Sequence, residues 1–306
     1  MFWLLKAETI SRTQVIMSTF VTIKTDKKNE EYINRGFEIM KSVEMSLSSY
    51  NKDAKVTELN KNLHVALDEY LYEALALSKE YYEKSDGYFD VTVGSIIKDL
   101  YRFGEDERVA TPYELNDAKV DFNALKFNEE EAFIVQGMKV DLGGMGKGFG
   151  VDKVAEHFRA LHVDDAIISA SGDIRCLSTC KVEVQNPFDE ESILLSFETL
   201  QNDMGISTSG NYNRYVITKE NNHLINPKAK KSQMLFASIT LIGTMKSSSL
   251  DAYATAASVM PLHVAYKFLN SIGVGYIIVR SDKEIVVSKD ITRYIKNLSN
   301  FSKEKP

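Results

Sequence analysis

The stretch that decides the fold reads Asp141-Leu142-Gly143-Gly144-Met145-Gly146-Lys147-Gly148-Phe149-Gly150-Val151-Asp152. It lies between a predicted strand and a predicted helix, and five of its eight central residues are glycine. Glycine permits positive φ and close backbone approach, so consecutive amides can converge on a phosphate at the helix N-terminus. Lys147 adds a positive charge. The stretch predicts a phosphate-binding turn, and a flexible glycine turn that packs helix on strand remains the alternative.

Two familiar phosphate motifs do not fit this stretch. A P-loop requires Ser or Thr after its Gly-Lys pair, whereas Lys147 is followed by Gly148. The dinucleotide fingerprint requires a third glycine three residues after the second, where Phe149 or Val151 stands. Any phosphate site here therefore belongs to a different class.

The composition is that of an ordinary soluble globular protein. The chain has 306 residues, of which 44% are hydrophobic and 26% charged, and its net charge is −6. This acidic balance argues against non-specific nucleic-acid binding, which needs clustered positive charge. No repeat or Pro/Ser-rich linker divides the chain. We therefore expect a single mixed α/β (α+β) domain over residues 1–306, with a core at about 12–290 and a polar tail at 297–306.

Hydrophobic periodicity predicts the main elements. Residues 132–136 and 138–142 should form a hairpin that turns near Gly137. A short helix should begin at Thr111-Pro112. The remaining strands are predicted at 12–24, 165–170, 181–185, 193–199, 214–218, 236–242, 274–280 and 284–288, and the remaining helices at 30–50, 66–84, 148–161, 251–260 and 263–271.

The cysteines and the N-terminus bear on the compartment. Cys176 and Cys180 are the only cysteines, which excludes a four-thiolate zinc site. Their spacing could allow a bridge, but we expect two free thiols at a strand end and a turn. The apolar run at residues 2–5 is too short for a signal peptide or a membrane-spanning helix. As written, the chain is expected to be cytoplasmic; if its N-terminus is truncated, the alternative is an exported or periplasmic protein.

Three further stretches contain candidate functional residues. In the first, Tyr88, Phe89 and Asp90 could form a wall for a flavin or adenine ring, or simply a capped turn. In the second, Asp251 and Thr255 lie four residues apart on one face of a predicted helix. Their oxygens suit a hard cation such as Mg²⁺, although an aspartate at a helix start is commonly an N-cap.

The third of these stretches contains His223, beside the turn predicted at Asn226-Pro227. A histidine there could reach a phosphate or act as a base toward a hydroxyl. An ordinary polar core or surface residue is the alternative.

Taken in order along the chain, these stretches resemble the ApbE-like family, the FAD:protein FMN transferases. The resemblance covers about residues 12–290 and implies a single T-fold-like domain with mixed sheets flanked by helices. The matching stretches are Met17-Ser18-Thr19-Phe20, Leu47-Ser48-Ser49-Tyr50, Glu58-Leu59-Asn60, 87–94, 141–152, 171–174, 208–212, 223–227 and 251–256.

The resemblance implies a role for each matched position. An FAD pocket would be lined by Met17, Tyr50, Tyr88, Phe89 and Asp90. The adenine-ribose and pyrophosphate portions would be held by Asp141 and Lys147, and Mg²⁺ would be bound by Asp251, Thr255 and the backbone carbonyl of Gly144. Lys147 would also act catalytically, with His223 as general base. The partner would be an acceptor protein, an FMN-binding domain with a Thr or Ser in a flavinylation motif.

Four residues depart from the family pattern. Ser18 and Ser171 replace glycines, which could alter cofactor fit. Asn226 replaces an aspartate and removes a charge expected beside His223, and Ala229 replaces a threonine. Because the Asn226 change could favour water as acceptor, an FAD pyrophosphatase that releases FMN and AMP is one alternative function. A non-catalytic FAD-binding protein is another.

Overall fold

The computed structural model describes residues 8–212 and 214–300, so the apolar run at 2–5 and the end of the expected tail at 301–306 lie outside the described residues. The strands are β1 (Thr9–Ile16), β2 (Thr19–Asp26), β3 (His64–Ala66), β4 (Lys126–Phe127), β5 (Glu131–Phe133), β6 (Ile167–Ala170), β7 (Asp173–Cys176), β8 (Lys181–Asn186), β9 (Asp189–Thr199), β10 (Met204–Gly210), β11 (Ile225–Asn226), β12 (Lys231–Ser232), β13 (Phe236–Gly243), β14 (Gly275–Arg280), β15 (Ile285–Val287) and β16 (Ile295–Asn300). The α-helices are α1 (Glu30–Leu47), α2 (Lys55–Asn62), α3 (Glu69–Lys84), α4 (Pro112–Asp117), α5 (Gly146–Ala160), α6 (Ser247–Val259) and α7 (Leu262–Ser271).

The largest sheet has eight strands in the order β1-β2-β6-β7-β10-β13-β14-β15. All of its neighbouring strands pair antiparallel. Smaller antiparallel sheets are formed by β16-β9-β8, by β3-β5-β4 and by β11-β12. The expected mixture of sheets and flanking helices is confirmed.

Both faces of the eight-stranded sheet are covered near its middle. Every residue of β13 is buried, which is typical of a strand with packed layers on both sides. On one side α1 and α5 share a hydrophobic core with β2 and β6, in which Phe37 and Phe158 are fully buried. Helix α6 packs beside α5 and against β10 and β13.

Helices α5 and α6 approach each other closely. A Cβ added to Gly148 would lie 2.4 Å from the carbonyl oxygen of Ser247, so only glycine fits at this point. Asp152 of α5 accepts hydrogen bonds from the backbone amides of Ser247 at 2.7 Å and Ser248 at 2.9 Å. It therefore caps the first turn of α6, where free amides need an acceptor.

The expected strand at 12–24 is two strands. Met17 and Ser18 form a two-residue hairpin loop, with φ of 55° and 56°. Such loops require positive φ, for which Asn and Gly are the usual residues. The prediction was wrong because Met-Ser does not have that turn signature.

The hairpin predicted at 132–142 is also wrong. Only Glu131–Phe133 forms a strand, and it pairs with β3 and β4. The backbone beyond it leaves the sheet, and the amide of Asp141 donates to the carbonyl of Val91 at 2.8 Å. The predicted strand at 214–218 is reduced to one bridge between Tyr215 and Asn222.

Other boundaries differ in smaller ways. The helix start at Thr111-Pro112 is confirmed, with Thr111 and Glu114 forming a capping box. Helix α2 was not predicted, and residues 297–300 of the expected tail lie in β16, which pairs with β9. Over the described ranges, 8–212 and 214–300, no helix is long and apolar enough to cross a membrane.

The expectation of two free thiols is wrong. Cys176 and Cys180 form a disulfide, with their Cα atoms 6.1 Å apart. Cys176 ends β7, and the short turn after it brings Cys180 back beside it just before β8 begins. The four-residue separation gave no indication of this geometry.

Candidate functional site

The site is centred on the N-terminus of α5. There the Nζ atom of Lys147 lies 2.9 Å from Oδ2 of Asp173 and 3.4 Å from Oδ2 of Asp251. The backbone amide of Gly148 donates to the same Asp251 oxygen at 3.2 Å. Two stretches about a hundred residues apart, the glycine-rich turn and the start of α6, therefore meet through Lys147 and Asp251.

The charges in this cluster are strongly coupled. Burial by itself lowers the pKa of Lys147, but the carboxylates of Asp173 and Asp251 outweigh it and raise that pKa, so the ammonium stays protonated. Burial, followed by the charge of Asp173, raises the pKa of Asp251 to about 7, against the opposing effect of Lys147. With both carboxylates ionised, the cluster has one negative charge in excess, and a bound cation would offset it.

Oxygen ligands for a cation lie next to this cluster. Thr255, one helical turn after Asp251, donates through its hydroxyl to the carbonyl of Gly144 at 3.3 Å and lies 3.2 Å from the hydroxyl of Ser209. Carbonyl, hydroxyl and carboxylate oxygens are the ligands that Mg²⁺ prefers.

Two observations test whether these residues fit a cation. Oδ2 of Asp173 is buried against the Lys147 ammonium at 2.9 Å, while its other oxygen accepts a hydrogen bond from Ser207. Within the described part of the chain, no three His, Cys, Asp or Glu side chains form a metal cluster. A cation here would be held by mixed oxygen ligands, with phosphate oxygens completing its shell, which fits Mg²⁺ better than zinc.

The aromatic stretch lies against the glycine-rich turn. Phe89 is buried, and its ring edge is 3.3 Å from the position that a Cβ would take on Gly144. Tyr88 is partly buried under the Nζ atom of Lys228, which lies 4.2 Å from its ring centre. Phe89 therefore packs directly beside the glycine-rich turn.

Asp90 has a different environment. Its Oδ1 accepts hydrogen bonds from the amide of Thr92 at 2.8 Å and from the Thr92 hydroxyl at 2.7 Å. Burial raises the pKa of its carboxyl group. These contacts match the capped-turn interpretation of Asp90, whereas the ligand-wall interpretation of Phe89 stays a prediction.

Met17 and Asp141 both lie beside the glycine-rich turn. The Cε atom of Met17 is 3.4 Å from the Cβ position of Gly146, which places the β1–β2 turn at the start of α5. Asp141 accepts from the Gly143 amide at 2.8 Å and from the Ser49 hydroxyl at 2.7 Å. Its carboxylate therefore holds the glycine-rich turn in shape.

Tyr50 and His223 are linked by a residue that the sequence analysis did not select. The guanidinium of Arg214 donates to the Tyr50 hydroxyl, while the backbone carbonyl of Arg214 lies 3.1 Å from Nδ1 of His223. Burial, and then the charge of Arg214, lowers the pKa of His223 to about 4. The imidazole is therefore neutral at physiological pH, as a general base must be.

The side chain of Asn226 is bound by the backbone around it. Its side-chain amide donates to the carbonyl of Val259 at 2.7 Å, and its oxygen accepts from the amides of Lys228 and Ala229, each at 2.9 Å. Both ends of this side chain are used to hold the turn against the end of α6. An amide can donate to that carbonyl, whereas a carboxylate cannot.

Sequence reasoning missed three residues of the site as functional positions. Asp173 and Ser209 lie within matched stretches, 171–174 and 208–212, so that signal was available for both. Arg214 lies in a region predicted as a strand and offered no signal.

The start of α5 thus brings together a lysine, two aspartates and a glycine-rich turn. Comparison with known proteins identifies the family. The ApbE family model matches residues 17–278. A FAD:protein FMN transferase of Haemophilus influenzae is 30% identical over 295 residues, covering 86% of this chain and 81% of that protein. Another, from Treponema pallidum, is 24% identical and covers 94% of this chain and 89% of that protein. The chain belongs to the ApbE family.

Solved structures show the same fold. The ApbE protein of Thermotoga maritima superposes with a TM-score of 0.86 at 21% identity, covering 95% of this chain and 100% of that one. The flavin transferase ApbE from Vibrio cholerae gives a TM-score of 0.82 at 20% identity, covering 94% of this chain and 100% of that one.

Proposed function

We propose that this enzyme is a flavin transferase that moves the FMN moiety of FAD onto a Thr or Ser hydroxyl of an acceptor protein, with Mg²⁺ as its cofactor. Family membership supports the flavin transfer. The observation that carries the magnesium-dependent chemistry is the meeting of Lys147, Asp251, Thr255 and the Gly144 carbonyl at the start of α5.

The reaction is a phosphoryl-type substitution. The acceptor hydroxyl oxygen forms a bond to the FMN phosphorus, the bridging phosphorus–oxygen bond breaks, and AMP leaves with that oxygen. The hydroxyl proton goes to the neutral imidazole of His223, an effect typically worth about 10²–10⁴-fold in rate. Lys147 stabilises negative charge on the diphosphate.

Magnesium, when bound by Asp251, Thr255 and the Gly144 carbonyl, supplies further charge neutralisation on the diphosphate oxygens. The buried ring of Phe89 lies beside Gly144 at the same place. The glycine residues keep the amides of the turn accessible to phosphate oxygens.

The transferase is favoured over the alternatives by the surroundings of two residues. Hydrolysis of FAD was suggested by the residue change at Asn226, and the hydrogen bonds of this side chain to Val259 and the following turn give the asparagine a structural role of its own. A passive FAD-binding protein does not need a helix-borne carboxylate beside Lys147.

The test is covalent flavinylation. The chain is mixed with FAD, Mg²⁺ and a purified FMN-binding-domain acceptor, and flavin fluorescence is read in a denaturing gel. A fluorescent acceptor band that disappears with EDTA and in Asp251→Asn supports the proposal. Ser258→Ala is the matched control, because Ser258 lies on the same helix and donates to the Ala254 carbonyl away from the cluster. Free FMN and AMP with an unlabelled acceptor would overturn the transferase in favour of the pyrophosphatase.

Two broader expectations remain proposals. A single domain is supported by the large sheet, which draws strands from residue 9 to residue 287. The disulfide between Cys176 and Cys180 supports the exported alternative over a cytoplasmic location, because structural disulfides persist in oxidising compartments.

A further inference from the structure

Arg214 differs from every other arginine in the chain. All nine arginines lie in the described ranges, and eight of them form an ion pair with an aspartate or glutamate there. Arg214 forms no such pair with a described carboxylate. Its Nη2 atom donates to the carbonyl of Phe103 at 3.2 Å and to the hydroxyl of Tyr50.

The guanidinium is held in place between two aromatic rings. Its Cζ atom lies 5.1 Å from the centre of the Tyr50 ring and 5.4 Å from the centre of the Phe103 ring. Both hydrogen bonds use Nη2, so Nη1 and Nε keep donors for a further acceptor. A partly buried, fixed guanidinium without a carboxylate is suited to an anionic ligand.

The position of Arg214 relative to His223 indicates which anion it faces. The His223 ring meets the Phe103 ring edge-on, with centres 6.5 Å apart, so the imidazole and the guanidinium flank the same aromatic ring. His223 also donates to the backbone carbonyl of Arg214, both from its backbone amide and from its ring Nδ1. The base that activates the incoming hydroxyl must lie beside the phosphorus that is attacked.

We propose that Arg214 binds the phosphate of the FMN half of FAD, opposite the Lys147–Asp251 cluster. This inference rests on the proposed function, since it takes FAD as the substrate. Two parallel hydrogen bonds from a guanidinium to phosphate oxygens are a strong and directional contact. Arg214 thereby presents the phosphorus to the hydroxyl that His223 activates.

The experiment compares two flavins that differ by one phosphate. FMN and riboflavin are titrated against the full chain by flavin fluorescence, without acceptor or metal. Wild type should bind FMN more tightly than riboflavin. Arg214→Gln should weaken FMN binding by about 10–100-fold, the range expected for a hydrogen bond to a charged group, and leave riboflavin binding unchanged. Arg214→Lys should recover part of the difference between FMN and riboflavin binding, because lysine restores the positive charge but cannot donate two parallel hydrogen bonds.

Arg293→Gln is the matched control, because Arg293 is exposed and its ion pair among the described residues is a distant one with Asp290 at 3.9 Å. Parallel losses of FMN and riboflavin binding in Arg214→Gln would overturn the inference, since Arg214 would then merely hold Tyr50 in place. If Arg214→Gln fails to fold, the FMN-to-riboflavin ratio of Arg214→Lys decides in the same way. If the preference for FMN depends on Arg214 but the chain labels no acceptor, the proposed function is overturned while the role of Arg214 in binding phosphate stands.

Discussion

Replacing Gly148 by alanine tests whether the contact between α5 and α6 sets the geometry of the site. The new Cβ would lie 2.4 Å from the Ser247 carbonyl oxygen and 2.8 Å from the Ser248 amide nitrogen. These are backbone atoms and cannot rotate away. Normal contacts between such atoms are about 3.5 Å, so the two helices must separate by about 1 Å.

The magnitude follows from that displacement. Overpacking of this kind costs about 1–3 kcal/mol in the free energy of unfolding. Gly146→Ala provides the reference, because its Cβ would meet only the flexible end of Met17 at 3.4 Å. Gly146 and Gly148 both lie in the first turn of α5, where the change to alanine alters helix propensity in the same direction and by at most about 1 kcal/mol. The difference in stability between them therefore isolates the helix–helix clash.

The rate of acceptor flavinylation should also fall, and by more than the loss of folding stability alone would cause. A shift of about 1 Å breaks the bond from the Gly148 amide to Asp251, now 3.2 Å, and separates Asp251 from Lys147. Misplacement by that distance can cost about 10²-fold in rate. Urea unfolding gives the first quantity and the initial rate of acceptor flavinylation gives the second. A Gly148→Ala enzyme with the stability of Gly146→Ala and the wild-type rate would refute the reasoning.

Three other outcomes are expected. Ser18→Gly and Ser171→Gly should each raise the free energy of unfolding by about 1 kcal/mol, because these serines have φ of 56° and 57° in the left-handed region; an unchanged or lower value would contradict this. Burial lowers the pKa of His223 to about 4, below its unfolded value of about 6.5. Because the unfolded chain binds the proton first, the free energy of unfolding should decline as the pH falls from about 7 to 4. His223→Gln should flatten that decline in urea titrations, and an equally steep decline would count against the prediction. Replacing both Cys176 and Cys180 by serine should lower the free energy of unfolding by about 2 kcal/mol by the loop-entropy relation, and a melting temperature insensitive to that change would show that the bridge contributes nothing.

The sequence predicted the parts of the fold that have a clear local period. Helix α1 follows from Ile33, Phe37, Met40 and Leu47, of which all four are buried. The β1–β2 turn could not be predicted in this way, because Met17 and Ser18 adopt positive φ without the usual turn residues. The surrounding sheet imposes that conformation.

The site was predictable only where short motifs marked it. The glycine-rich turn and the start of α6 carry recognisable residues, but the contact between Lys147 and Asp251 spans 104 positions, and no local pattern encodes such a distance. Arg214 was missed because its role depends on lacking an acidic partner. The surroundings of Asn226 likewise appear only once α6 is placed against the turn.

The hydrogen bonds from the first turn of α6 to Asp152 have a consequence for folding during synthesis. The carboxylate is synthesised about a hundred residues before the amides of Ser247 and Ser248 that it binds. During synthesis, α5 and its glycine-rich turn therefore lack their partner helix, and the proposed site is complete only after residues 247–259 have emerged from the ribosome.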